Sequence, residues 1–137
     1  MKRLFAIALI AFACLGPAGA ADAPVKSTPI LTTTKTAIGQ PIVLPTKDAQ
    51  VVVTMLEIAP GTKLPRHEHP FQRYGYLMQG ELTVEYEGGQ RQVFHAGDFI
   101  VEALGVWHFG TNTGSDPVKL LVIDQVEAGK SNTILAN

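Results

Sequence analysis

The sequence predicts an all-β sandwich or barrel built as a single domain. Short runs rich in β-branched and aromatic residues recur from residue 40 onward, and glycine- and proline-rich turns separate them at short intervals. No stretch keeps an apolar period of 3.6 residues, which a helical domain would need. A chain of 137 residues is long enough for one domain with a core and too short for two.

The expected strands follow the apolar runs. These runs lie at 42–44, 51–58, 73–79, 81–86, 91–94, 98–102, 106–109 and 118–123. Gly88-Gly89 between two of them indicates a hairpin, because glycine adopts the positive φ values that such turns require. Any helix is expected to be a minor element near 124–137.

The first twenty residues have the three parts of a secretory signal peptide. Lys2-Arg3 is the positive region, residues 4–15 are almost entirely apolar, and Ala18-Gly19-Ala20 is a small-residue cleavage site. An uncleaved anchor is disfavoured because a span needs about 20 apolar residues, and lipidation at Cys14 is disfavoured by Ala11, where a larger aliphatic residue is usual. We therefore expect cleavage after Ala20 and a periplasmic or secreted protein.

The remaining chain divides into an extended leader at 21–39, a barrel at 40–126 and a C-terminal tail at 127–137.

Cys14 is the single cysteine of the chain, so cleavage would exclude disulfides, thiol nucleophiles and thiolate metal sites. The full chain has 11 Lys and Arg against 12 Asp and Glu, with no block of like charge. Nucleic acid is therefore not an expected partner, and neither is a membrane after cleavage.

Four histidines, His67, His69, His95 and His108, carry the candidate chemistry. In extended backbone the period of two sends His67 and His69 to the same side, where both can reach one ion at about 2.0–2.1 Å. Two solvent-facing histidines on a strand are the alternative interpretation. Taken alone, His108 fits a packed strand histidine as well as a ligand, and His95, before a turn, is expected at the surface.

Together these segments resemble the cupin superfamily. Gly61-Thr-Lys-Leu-Pro-Arg-His67-Glu-His69, followed by Gly80, is similar to the first cupin motif, G-x5-H-x-H-x3,4-E-x6-G. The run from Gly97 to Asn112, with Gly105 and His108, is similar to the second, G-x5-P-x-G-x2-H-x3-N, with Ala103 in place of proline. The resemblance implies a small single-domain jelly-roll barrel, a divalent transition metal held by His67, His69 and His108 in its mouth, and a homodimer.

The glutamate of the first motif is missing, and Arg73 or Tyr74 stands at its place. An arginine presents only donors and cannot coordinate a cation. Three hypotheses follow. The three histidines bind the metal alone, or Gln72 or Glu102 supplies an oxygen ligand, or the barrel is a metal-free module. Iron is the preferred metal, and Zn, Mn, Ni and Cu also suit imidazole ligands.

Arg73 and Tyr76 are candidate substrate-binding residues. Arg73 could hold the oxygens of an anionic substrate, or it could face outward and pair with Glu81 or Glu85. Tyr76 could line the pocket, or it could form part of a dimer face. A one-residue bulge reverses every facing along a strand, so alternation leaves these alternatives open.

Two functions from different classes fit these features. One is a secreted, metal-dependent cupin that acts on a small organic, possibly anionic, molecule by oxygenase, isomerase or lyase chemistry. The other is a non-catalytic, metal-free cupin that binds or senses a small ligand. The fold alone does not choose between them.

Overall fold

A computed structural model describes residues 25–137 as two antiparallel sheets that face each other. The four-stranded sheet has the order β1-β8-β3-β6, and the five-stranded sheet has the order β5-β4-β7-β2-β9. The strands are β1 Ala49–Ile58, β2 His67–Glu68, β3 Arg73–Gln79, β4 Glu81–Tyr86, β5 Arg91–His95, β6 Phe99–Val101, β7 His108–Asn112, β8 Val118–Glu127 and β9 Ile134–Leu135.

The all-β prediction is confirmed, and one local expectation is wrong, since residues 42–44 form no strand. The region 124–137, where any helix was expected, is not helical. Strand β8 instead continues to Glu127, because its side chains alternate between buried and half-buried positions along its whole length. The predicted hairpin at Gly88-Gly89 is confirmed by antiparallel pairing of β4 with β5. Within residues 25–137 there is no helix long and apolar enough to cross a membrane.

The hydrophobic core lies between the two sheets. Strand β8 contributes a stripe of inward side chains, Val118, Leu120, Val122 and Val126, which are buried. Asp124 occupies the same stripe and is also buried, so it is a charged residue in an otherwise apolar row. A buried carboxylate needs a charged or hydrogen-bonding partner, and this one lies at the candidate site.

Gly80 makes the one-residue connection between β3 and β4. Its φ is +86°, and an added Cβ would lie 2.9 Å from the carbonyl oxygen of Pro117. Both the backbone conformation and the lack of space therefore require glycine at the end of the first motif. This tight connection fixes where β3 ends and β4 begins.

The C-terminal tail folds back over the end of the barrel that carries the histidine pair. Strand β9 pairs with β2, with Leu135 opposite His67 and Ile134 opposite Glu68. The amide of Ala136 donates to the carbonyl of Arg66 at 2.9 Å. The tail is therefore attached to the segment that carries His67 and His69.

Candidate metal centre

Three of the four histidines meet at one end of the barrel. His67 lies on β2 and is directly opposite His108 at the start of β7, while His69 follows two residues after His67. One ring nitrogen from each of the three lies within 4.8 Å of the others. All three side chains are buried or nearly so, and His69 is fully buried. The period-two prediction for the His67-Glu68-His69 segment therefore agrees with the structure.

Backbone carbonyls orient each of these rings. The Nδ1 atom of every histidine in the cluster lies 2.5–2.8 Å from a carbonyl oxygen. Because a carbonyl only accepts, Nδ1 carries the proton and Nε2 is left for a ligand bond in the neutral ring. The carbonyl partners are Pro65 for His67, Asn132 for His69 and Val106 for His108.

Electrostatics favour the neutral form of His67. Burial, together with the neighbouring rings of His108 and His69, lowers the pKa of His67 to about 4, against the opposing effects of its bond to Pro65 and of nearby Glu102. Metal binding requires an unprotonated ring nitrogen. His67 is therefore ready to act as a ligand throughout the neutral pH range.

Glu102, the residue directly after β6, places its carboxylate beside two of the three histidines. Its Oε2 lies 3.1 Å from Nε2 of His69 and 3.5 Å from Nε2 of His108. Two ligands that each lie about 2.1 Å from a shared ion are separated by roughly 3.0–3.4 Å in octahedral or tetrahedral geometry. The two separations therefore suit one divalent transition metal shared by Glu102, His69 and His108, and His67 completes the cluster of three histidines.

The contacts of His69 also fit a cation. Its Nδ1 faces the carbonyl of Asn132 and its Nε2 faces the carboxylate of Glu102, so both nitrogens face acceptors. A neutral imidazole can donate from only one nitrogen. A metal ion between Nε2 and Oε2, or a second proton on the ring, is needed to make both contacts favourable at the same time.

Glu102 is held ionised in this environment. Burial would raise the pKa of Glu102, but in the metal-free centre hydrogen bonds from His108 and His69, which require a proton on Nε2, and the positive charge of Arg73 hold that pKa well below its usual range. The amide of Glu102 also donates to the carbonyl of Arg73 at 2.9 Å, which extends the pairing of β3 with β6 by one residue. An anionic oxygen is therefore fixed beside the histidine nitrogens.

Gln72, the other candidate oxygen ligand, is held beside the centre by its amide nitrogen. Its Nε2 donates to the carbonyls of Glu102 at 2.9 Å and Arg73 at 3.2 Å, and no hydrogen bond joins it to the three histidines. Its side chain is fully buried, and its Oε1 has no hydrogen-bond partner among the described residues. Gln72 thus supports the backbone that presents Glu102.

Arg73 faces the barrel interior, so its predicted outward pairing with Glu81 or Glu85 is wrong. It is directly opposite Asp124 on β8, and its Nε and Nη2 donate to the two carboxylate oxygens of Asp124 at 2.7 and 2.9 Å. Burial opposes the charge, yet the bonds to Asp124 and the nearby Glu102 raise the pKa of Arg73. Its Nη1 lies 3.5 Å from Nε2 of His69, so a cationic donor borders the centre.

Tyr76 does not reach the centre. Along β3, Arg73, Gly75 and Leu77 face inward, so alternation places Tyr74 and Tyr76 on the outer face of the sheet. Gly75 is packed against the centre, since an added Cβ would lie 3.0 Å from Cδ1 of Leu120 and 3.7 Å from Oε1 of Glu102.

The surface location expected for His95 is confirmed, because its side chain is 65% exposed beside Glu81.

The sequence interpretation missed Asp124 and Asn132. Asn132 is buried, and its side chain accepts from the amide of Phe71 at 2.8 Å and donates to Asp124 at 2.6 Å. Its carbonyl is the acceptor for His69. Asn132 therefore connects the tail to both a candidate ligand and the partner of Arg73. The signal for Asp124 was its place in the apolar stripe of β8, whereas nothing local in the tail singles out Asn132.

A small cavity of about 40 Å³ adjoins the centre. Its polar lining comes from His67, His108, Glu102, Arg73 and Tyr86, and the rest of the wall is mostly aliphatic. Tyr86 is directly opposite His108, and the two ring centroids are 5.7 Å apart. Burial and the charge of Glu102 raise the pKa of Tyr86, so this phenol keeps its proton. A volume of this order holds only a few non-hydrogen atoms.

Comparisons with known proteins agree with this fold. The family model described as a cupin domain matches residues 54–124, slightly more than half of the chain. A comparison with curated proteins found no match. An oxalate oxidase structure is 26% identical with a TM-score of 0.53, and the match covers 63% of this chain and 46% of that one.

Two further structures support the fold alone. Oxalate decarboxylase from Lactobacillus farciminis, in a formate complex, is 24% identical with a TM-score of 0.55, and the match covers 62% of this chain and 26% of that one. The DMSP lyase DddQ from Ruegeria pomeroyi DSS-3 is 22% identical with a TM-score of 0.55, with 72% and 47% covered. The matched regions span less than half the length of each of these three structures.

The Asn132 contacts generate a testable prediction. In Asn132→Ala the tail loses its bonds to Phe71 and Asp124, so the carbonyl that orients His69 is no longer held in place. We expect metal affinity, measured by competition with a chelator, to fall roughly 10–100-fold, the usual cost of losing an outer-shell partner. The neighbouring exposed variant Ser131→Ala should bind metal like the wild type. Wild-type affinity in Asn132→Ala would contradict this role.

Proposed function

Because the chain belongs to the cupin domain family, we propose that it binds one divalent transition metal through the cluster of His67, His69 and His108, with the neighbouring carboxylate of Glu102 as an additional ligand. The observation that carries this proposal is the approach of the Glu102 carboxylate to two ring nitrogens, at 3.1 and 3.5 Å. In the first cupin motif the carboxylate would stand near position 73. Here Glu102, directly after the adjacent strand β6, would supply it, and the arginine at 73 is paired with a separate acid.

The charge balance of the centre supports an anionic ligand. A divalent ion and Arg73 together exceed the combined charge of Glu102 and Asp124, which leaves one positive charge uncompensated. Asp124 also occupies the Nε and Nη2 atoms of Arg73, so Nη1 is the nitrogen that remains directed toward the histidines. An anion bound beside the metal would neutralise the centre and could accept a charge-assisted hydrogen bond from Nη1.

We propose a small carboxylate as the substrate class. The cavity of about 40 Å³ admits only a compact molecule, and its aliphatic wall offers few other polar contacts. The oxalate oxidase neighbour supports oxalate as the first compound to test. Arg73 would orient the carboxylate, and the protonated hydroxyl of Tyr86 could donate to one of its oxygens.

The metal would supply Lewis-acid or redox chemistry to the bound anion. Imidazole ligands with one carboxylate suit iron best in our proposal, and Zn, Mn, Ni and Cu remain alternatives. The aliphatic side chains of the cavity wall, such as Leu64 and Val84, would limit the access of water to the bound molecule.

A metal-free binding module is the second candidate, and one observation favours it. Nη1 of Arg73 lies 3.5 Å from Nε2 of His69, the nitrogen that a metal would use. A guanidinium so close repels a cation. In this alternative, Arg73 and the histidines would bind an anion directly, with no ion between them.

Metal content distinguishes the two candidates. We expect about one equivalent of a transition metal per chain in untagged protein purified without chelators. In Glu102→Gln the side chain keeps nearly the same shape but loses the negative charge that offsets Arg73. Losing a partner of a ligand usually lowers metal affinity roughly 10–100-fold, and we expect this variant to lose at least as much. His108→Ala should lose the metal. Elemental analysis and chelator competition provide the measurements.

Glu68→Gln is the matched control, because Glu68 lies between the two histidines of the first motif and is not among the clustered ligand groups. It should retain full metal content. If wild-type protein binds no metal after incubation with excess iron, zinc, manganese, nickel or copper, the metal-dependent proposal is wrong and the anion-binding module is favoured.

The proposed role of Arg73 is tested by Arg73→Lys. The lysine keeps the positive charge but lacks the planar guanidinium. In the wild type that group donates two hydrogen bonds to Asp124 while its Nη1 faces the centre. We expect oxalate binding, followed by titration calorimetry on metal-loaded protein, to weaken roughly tenfold or more at unchanged metal content. Arg91→Lys, on exposed β5, should bind like the wild type. Equal oxalate affinity in Arg73→Lys and the wild type would remove Arg73 from the binding site.

We further propose that the protein is exported and that residues 1–20 are removed. The support is the sequence of this segment, since the whole of it lies outside the described residues. Intact mass spectrometry of the protein from the periplasm or medium of an expressing bacterium should give a chain that begins at Ala21. Recovery of the intact chain from the cytoplasm alone would contradict export.

A further inference from the structure

The cavity beside the centre has a polar end and an apolar end. Tyr86 and His108 are opposite each other on β4 and β7, and the next inward pair on these strands is Val84 and Gly110. We call the polar lining residues the polar layer. They are His67, Arg73, Tyr86, Glu102 and His108. The rest of the lining is aliphatic or glycine, and we call it the apolar layer.

The other sheet has the same two layers. Glu102 belongs to the polar layer, and Ile100, two residues before it, is the next inward side chain because every second residue of a strand faces the same side. Ile100 is paired with Gly75 of β3, and Val122 of β8 is paired with Gly75 from the other side. Ile100 and Val122 both line the cavity. The two sheets therefore change from polar to apolar at the same depth.

The side chains of the apolar layer offer no hydrogen bond to a ligand. The inward residue of β7 after Gly110 is Asn112, which does not line the cavity. Its Nδ2 donates to the carbonyls of Ile58 at 2.8 Å and Asp116 at 2.9 Å, and its Oδ1 accepts from the amide of Gly114 at 3.0 Å. A charged or hydroxyl group in the apolar layer would lose its hydration without gaining a partner.

The missing side chain of Gly110 keeps the apolar layer open. The φ of Gly110 is not positive, so the backbone conformation does not require glycine there. Glycine inside a strand weakens the strand and often marks a place where a ligand approaches closely. An added Cβ would lie 3.1 Å from Cδ1 of Leu82 and 3.6 Å from Cδ1 of Leu64, and both leucines line the cavity. A methyl group at position 110 would therefore become part of the cavity wall.

From this division of the cavity, we propose that the substrate is a monocarboxylate with a short aliphatic chain, and that Gly110 sets the length of this chain. The inference rests on the proposed carboxylate-binding function. The carboxylate occupies the polar layer, beside Nη1 of Arg73 and the protonated hydroxyl of Tyr86, and the chain enters the apolar layer. A cavity of about 40 Å³ has room for roughly three groups the size of a water molecule, so only a few carbons follow the carboxylate. Oxalate would occupy the polar layer alone.

The first test is the affinity of metal-loaded wild-type protein for a series of straight-chain carboxylates, measured by titration calorimetry. Affinity should rise roughly fourfold from acetate to propionate, because one more methylene is buried. It should have fallen again by hexanoate, whose chain is too long for the cavity. β-Hydroxypropionate should bind roughly tenfold more weakly than butyrate, because it has the same length but places an unpaired hydroxyl in the apolar layer.

The second test changes the length of the apolar layer from both sides. Gly110→Ala should lower the affinity for propionate at least about tenfold, with a much smaller effect on acetate, because the added methyl overpacks the cavity. Val84→Ala, at the opposite position, should shift the preferred carboxylate to a longer chain.

Gly114→Ala is the matched control. The φ of Gly114 is not positive either, an added Cβ there would lie 3.2 Å from Cβ of Glu81, and Gly114 does not line the cavity. This variant should bind every carboxylate like the wild type, and all variants should keep the wild-type metal content.

The outcomes separate this inference from the function on which it rests. Binding of oxalate together with equal affinities for acetate, propionate and butyrate overturns the inference and leaves the small-carboxylate function in place. An unchanged chain-length preference in folded Val84→Ala also overturns it, and this result decides the question if Gly110→Ala does not fold. If neither oxalate nor any member of the series binds to metal-loaded protein, the proposed substrate class is wrong as well.

Discussion

The contact between the Glu102 carboxylate and the Nε2 atoms of His69 and His108 is the constraint on which the candidate centre depends. It places a negative charge beside two of the three imidazoles that converge there. Without it, Arg73 would be the nearest charged side chain, and the centre would repel a cation. The proposed metal centre therefore depends on the position of Glu102, directly after β6.

The exchange of a carboxylate for an arginine in the first motif has consequences beyond position 73. A half-buried guanidinium needs a counter-charge, and Asp124 provides it from within the apolar stripe of β8. Asp124 in turn accepts from Asn132, whose carbonyl orients His69. Residues far apart in sequence thus form one connected set, and the C-terminal tail becomes part of the centre instead of a free end.

Much of this arrangement could be predicted from the sequence because it depends on local spacing. The period of two across His67 and His69 placed both rings on one side, and the glycine and histidine intervals of two motifs identified the family. The position of Arg73 could not be predicted, since the direction of a strand side chain depends on pairing with a strand about fifty residues away. The contact of Asn132 with His69 also depends on the path of the tail, and short polar segments carry little periodic signal.

Sequence patterns alone were also insufficient for the end of β8 and for the direction of the side chains on β1. Residues near 124–137 suggested a minor helix, yet β8 extends to Glu127 because its inward side chains continue the core. For β1 the sequence shows only a run of apolar residues. Register against β8 was needed to show that Val51, Val53 and Met55 share the outer face, while Leu56 and Ile58 face the core or lie beside it.

The most direct test of the central claim is X-ray diffraction from crystals of metal-loaded protein, collected on both sides of the absorption edge of the bound metal. We expect one anomalous peak within about 2.0–2.2 Å of Nε2 of His67, His69 and His108 and of one carboxylate oxygen of Glu102. A peak bound by the histidines with Glu102 turned away would contradict the role of this carboxylate. The absence of any peak at the cluster under metal-replete conditions would contradict the metal centre itself.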